Sequence, residues 1–117
     1  MTMTVYHLNR KGREVSGLWL NADISTVINF KDNFDKVAEV DCPDELETAF
    51  RLTNSIDFNW WENENVAKGS EEGYRSTSVG DVVRLSDRTY HIVDGYGFVK
   101  VNPNDPARMR ISSLHKQ

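Results

Sequence analysis

Apolar and polar positions alternate in short runs along most of this chain, and the period changes once, near the middle. Thr4-Val5-Tyr6-His7-Leu8 is rich in β-formers and predicts an opening strand. Lys11-Gly12 is a turn signal. Leu18-Trp19-Leu20 fits a second, short strand. Residues 21–34 fit either a loop or a short helix opened by Asn21 or Asp23 and carrying Ala22, Ile24, Val27 and Ile28. Lys36-Val37-Ala38-Glu39-Val40 alternates as a strand does, and Asp41-Cys42-Pro43 ends it. The period then becomes helical, because Leu46, Ala49, Phe50 and Thr53 recur at i, i+3, i+4 and i+7. Pro43, Asp44, Glu45 and Glu47 suit a helix start, and Asn54 suits a left-handed stop. Residues 64–74 are polar, with Gly69 and Gly73, and read as a surface loop. Val82-Val83-Arg84-Leu85, Thr89–Val93 and Tyr96–Val101 are strands joined by turns at Ser86-Asp87-Arg88 and Asp94-Gly95.

This order predicts an α+β fold: a small, mainly antiparallel sheet with a C-terminal meander over about 82–101 and one main helix over about 43–54 packed on one face. Residues 1–101 are expected to form a single domain, and residues 102–117 an extended or partly ordered tail.

Composition narrows the function. The 117 residues carry 27% charged and 38% hydrophobic side chains, the balance of a globular chain. The net charge of −4 argues against a general nucleic-acid binder, which needs a basic footprint. One cysteine, Cys42, excludes an intrachain disulfide and a zinc site built from cysteines, and fits the reducing cytoplasm. No apolar run reaches the roughly 18 residues of a membrane span, and the first residues do not read as a signal peptide. Acidic residues crowd one stretch: Asp57, Glu62, Glu64, Glu71 and Glu72, against Lys68 alone.

The candidate chemistry lies in a split block. Trp60 and Trp61 are adjacent, so they cannot easily enter one core together. One is expected to be buried, and the other to cap the core or serve as a stacking surface or interface anchor. Asn54, Asn59, Asn63 and Asn65 surround them, suited to turns or to reading a polar ligand. Arg75-Ser76-Thr77-Ser78-Val79-Gly80-Asp81 is either a turn, with Gly80 at a permissive φ and Asp81 accepting backbone N–H bonds, or an anion nest of N–H groups beside Arg75. His7, His91 and His115 are isolated in sequence, and His7 and His91 read as structural. The carboxylates are not paired for acid–base work, so the chain is expected to be no enzyme, with no catalytic residues, no metal site and no cofactor.

The block Ala49-Phe50-Arg51-Leu52-Thr53-Asn54, Asn59-Trp60, Glu62-Asn63 with Val66, and Arg75–Val82 resembles a family of small proteins encoded by tailed bacteriophages. Ser76–Asp81 running to Gly97-Phe98 is similar to the end of YodL-type domains of mobile elements. The resemblance implies a phage protein in the cytoplasm of the host cell and carries over no catalytic residues. The first expectation is therefore a non-enzymatic accessory protein in host takeover. It would bind a host or phage protein, with inhibition of a host defence system as one instance. Its binding candidates are Trp60, Trp61, Asn54, Asn59, Glu62, Arg75, Ser76 and Ser78. The alternatives are a nucleotide or small-ligand binder with an aromatic stacking site and, second, a single-stranded nucleic-acid binder. Monomer and homodimer both remain open, since sheet edges need cover.

Overall fold

The computed structural model describes residues 2–16, 27, 29–54, 59–68, 75–95 and 97–103. The chain runs β1 (Thr2–Leu8), α1 (Arg10–Ser16), the single helical turn α2 (Phe30–Asn33), β2 (Phe34–Asp41), α3 (Leu46–Leu52), a 3-10 turn (Trp60–Glu62), β3 (Val66–Lys68), β4 (Val82–Arg84), β5 (Tyr90–Asp94) and β6 (Gly97–Val101). The strands form one six-stranded sheet in the order β3-β2-β1-β4-β5-β6, and every pairing is antiparallel. The α+β architecture and the C-terminal meander therefore stand as expected.

β1 lies inside the sheet, paired to β2 over its whole length and to β4 from Thr4 to Tyr6. Its residues are mostly apolar or β-branched, and nearly all are buried. The register slips by one residue between Val5 and Tyr6, which lets both flanking segments keep their apolar side chains inward. Two cores result. Met3, Val5, Val37, Val40, Ala49, Trp60 and Val83 pack on the face that carries α3 and the 3-10 turn. Leu8, Val27, Phe34, Val82, Ile92 and Val101 pack on the other, beside Phe30.

Several local expectations are corrected. Lys11-Gly12 is no turn but part of α1. Asn9 opens that helix, its Oδ1 accepting the Gly12 amide at 2.9 Å. Gly12 is there for closeness: a Cβ would lie 2.4 Å from Leu8 Cδ1 and 2.5 Å from the Asn33 carbonyl oxygen. The main helix spans Leu46–Leu52 rather than 43–54, because Glu45 is extended at φ −159° and precedes it as the cap. Asp44 is used elsewhere, accepting the Ser86 amide and hydroxyl. Asn54 does not stop the helix in a left-handed conformation. Among the described residues, Arg88 is the non-glycine residue with positive φ. The 64–74 segment is not all loop, since Val66–Lys68 pairs with Ala38–Val40 at the sheet edge. Of residues 21–34, Phe30–Asn33 is helical. The strand expected at Leu18-Trp19-Leu20, residues 21–26 and the tail from residue 104 lie outside the described residues. No helix among the described residues is long and apolar enough to cross a membrane.

Candidate functional site

The split block closes on itself. Asp81 is fully buried and receives four hydrogen bonds. Leu8 N and Ser78 N each donate at 2.8 Å, and the Arg75 guanidinium donates to both oxygens at 2.6 Å. Two parallel N–H···O bonds of this kind form the strong, geometrically specific pairing of arginine with a carboxylate. The same two terminal nitrogens also donate to the Ser76 and Leu8 carbonyls and the Ser78 hydroxyl, at 3.0, 3.1 and 3.2 Å. Gly80, at φ +97°, turns the chain so that its N–H reaches the Val93 carbonyl while Asp81 faces inward. The anion for which the 75–81 segment forms a nest is its own Asp81.

A second, neutral chain of hydrogen bonds runs beside it. Thr53 Oγ1 donates to the Ala49 carbonyl at 2.8 Å, and Thr77 Oγ1 donates to Thr53 Oγ1 at 2.8 Å. The Thr77 proton is thereby used, so His7 Nε2, 2.8 Å from Thr77 Oγ1, carries a proton and donates it. Burial pushes the His7 pKa down to about 4, although the Asp81 carboxylate 3.9 Å away pulls the other way. His7 is thus neutral at pH 7, and the direction of the chain assigns its tautomer. No buried side-chain N or O atom among the described residues lacks a partner.

The remaining members of the block join these chains to the helix and the 3-10 turn. The Asn54 amide donates to the Thr77 carbonyl, and the Thr77 amide donates to the Thr53 carbonyl at 2.9 Å. Trp60 is 1% exposed, its Nε1 donating to the Arg75 carbonyl at 3.0 Å. Asn63 Nδ2 donates to the Leu52 carbonyl at 2.9 Å. Of the eight binding candidates, Asn54, Trp60, Arg75, Ser76 and Ser78 meet in this internal network. Asn59, Trp61 and Glu62 lie on the turn outside it. Trp61 is half-buried, its ring edge-on to Trp60 with centroids 5.4 Å apart, while Asn59, Glu62 and Glu64 are exposed.

Compared with family models, curated proteins and solved structures, the chain matches none.

The geometry therefore separates two surfaces of the block. One is inward and consumed by hydrogen bonding. The other is the 59–65 turn, with an aromatic ring flanked by carboxylates. A shallow depression of about 260 Å3 continues it along the β3 edge, bordered by Glu64, Glu39 and Asp41. His7 and Thr53 were not among the binding candidates, yet they are integral to the buried network. Their separation from Thr77 by 70 and 24 positions hides that from any local motif. Among the described residues, no group of three or more His, Cys, Asp or Glu is arranged to hold a metal ion.

Proposed function

We propose that this protein is a non-enzymatic accessory protein of a tailed bacteriophage, acting in the host cytoplasm by binding a host or phage protein through the 59–65 turn. Inhibition of a host defence system is one form this takes. The observation that carries the reading is the position of Trp61. It is a large aromatic side chain, partly exposed at the margin of the core, on a tight turn whose neighbour Trp60 already fills the core. Tryptophan anchors are over-represented among residues that dominate interface energy. The exposed Glu62 and Glu64 beside it favour a partner with a basic surface.

The stacking-site alternative asks Trp60 or Trp61 to stack, Asn54 or Asn59 to read polar edges, and Arg75 with the 76–81 turn to hold an anion. Trp60, Asn54 and Arg75 are turned inward and hydrogen-bonded within the fold, which leaves Trp61 and Asn59 without the arginine that would hold the anion and favours protein binding. The test is capture from host lysate with the wild-type chain, Trp61→Ala and the pair Glu62→Lys, Glu64→Lys as baits, followed by affinity measurement on the purified partner. The expected outcome is one partner retained by the wild type, with affinity reduced roughly 30-fold by Trp61→Ala. Equal affinity of all three baits for every captured protein overturns the reading.

A further inference from the structure

A different surface lies on the sheet face away from Trp60 and α3. In the strand registers Tyr6 stands opposite Lys36, Thr4 opposite Arg84, and Arg84 opposite Tyr90. These positions share one face, and four of them, Tyr6, Lys36, Arg84 and Tyr90, carry hydrogen-bond donors at the ends of long side chains. The Tyr6 and Tyr90 rings are 6.2 Å apart, and Phe30 sits edge-on to both, at 4.9 and 5.3 Å, which fixes their planes. The Arg84 guanidinium carbon lies 5.9 Å from the centre of the Tyr90 ring. A cation over an aromatic face is attracted to it, so the guanidinium is oriented before any ligand arrives.

Arg84 is half-buried on a central strand, and no ion pair among the described residues includes it. In a chain with 18 acidic and 14 basic residues, an arginine without a carboxylate is conspicuous. The nearest acid along its row, Glu39 opposite Thr4, is bound by Lys36 at 2.8 Å. Burial and the Tyr90 phenol beside it raise the Tyr6 pKa, while Arg84 and Lys36 act to lower it, so both cations lie within electrostatic reach of that hydroxyl. The two phenols also share a hydrogen bond, so the pair keeps one hydroxyl proton to offer a ligand.

We propose that Arg84, with the hydroxyls of Tyr6 and Tyr90 and with Lys36 at the margin, forms a phosphate-binding site on this face. The donors come from the four neighbouring strands β2, β1, β4 and β5 and stand on one face. A planar carboxylate would use the guanidinium fork alone, whereas a tetrahedral phosphate presents oxygens to the fork and to the phenols together. The phosphate is either that of a small molecule or that of a nucleic-acid strand. The net charge of −4 is compatible with a single such contact and not with an extended backbone groove.

The experiment is an NMR titration of the intact chain, following the backbone amides of Tyr6, residue 84 and Tyr90. The probes are sodium pyrophosphate and a short oligothymidylate, with sodium chloride at equal ionic strength as reference. Arg84→Met keeps the stem and removes the guanidinium, and Tyr90→Phe keeps the ring and removes one donor. Circular dichroism and melting temperature confirm that both variants fold. The expected result is a saturable shift with pyrophosphate, weakened at least about tenfold in Arg84→Met and several-fold in Tyr90→Phe. Tighter binding of the oligothymidylate identifies a strand as the source, and binding of pyrophosphate as tight or tighter identifies a small molecule. Non-saturating shifts, or equal affinity of the wild type and Arg84→Met, overturn the site. Trp61→Ala should bind pyrophosphate as the wild type does, so this result and the partner-binding reading fail independently.

Discussion

Replacing Asp81 by asparagine probes the buried network with almost no change in shape. The carboxylate accepts two hydrogen bonds on each oxygen: Leu8 N and one Arg75 nitrogen on Oδ1, Ser78 N and the other Arg75 nitrogen on Oδ2. In Asp81→Asn one of those oxygens becomes an NH2 group. Whichever way the amide is turned, that NH2 meets one backbone N–H and one guanidinium N–H, donor against donor. Two of the four bonds are lost, and the guanidinium loses its counter-charge. Bonds to charged groups contribute about 1.5–3 kcal/mol each, and breaking a buried ion pair by removing one partner costs about 3–5 kcal/mol. The Arg75 side chain is 32% exposed, so water relieves part of the deficit, and the lower end applies, about 3 kcal/mol. Urea unfolding followed by circular dichroism measures it, and the melting temperature should fall by about 10 °C. In an Arg75→Met background the same substitution should cost at least about 1 kcal/mol less, because half of the donor clash is gone. A loss below about 1 kcal/mol for Asp81→Asn, or strictly additive costs in the double variant, would refute this account of the network.

Other predictions follow from single contacts. His7 has a folded pKa of about 4 against an ordinary 6.5. The unfolded chain therefore binds the extra proton first, and stability is full above pH 6.5 and lost progressively as pH falls toward 4. The loss amounts to about 3 kcal/mol, visible as the difference between urea midpoints of the wild type and His7→Gln across that window. Gly12→Ala should destabilise more than Gly80→Ala. The first drives a methyl group into Leu8 and the Asn33 backbone, while the second meets only an ordinary 3.7 Å contact and strains φ by roughly 1–2 kcal/mol. Trp60→Ala should cost about 3–5 kcal/mol in urea unfolding and Trp61→Ala much less, because Trp60 is 1% exposed and Trp61 half-buried. Equal losses would mean that both rings are core.

Most of the sheet was legible because β-branched residues alternate in β1, β2, β4 and β5, and because turn residues punctuate the meander. β3 was not, since three residues in polar company show no period. They pair because Ala38–Val40 offers them an edge and Val66 finds a place in the core. Gly12 misled for a related reason: a glycine required by close packing reads the same in sequence as one required by a turn. At the block, the turn chemistry of Gly80 and Asp81 was readable locally. The closure of Arg75 on Asp81 was not, because it depends on Leu8, which is 73 positions from Asp81 and brought there by sheet order. The Arg84 surface was hidden likewise, since alternation assigns faces only once the register is known.

The placement of β1 has a consequence for synthesis. This strand leaves the ribosome before the other five and occupies an interior position, yet its second neighbour, β4, begins roughly forty residues after β2 ends. At translation rates of about 5–20 residues per second, one long side of β1 waits roughly two to eight seconds for its partner. During that interval the nascent chain presents an unpaired, largely apolar strand, the kind of edge that invites pairing with another chain. The strand order thus writes into the molecule a short period of vulnerability, which closes when β4 docks and Asp81 takes the Leu8 amide.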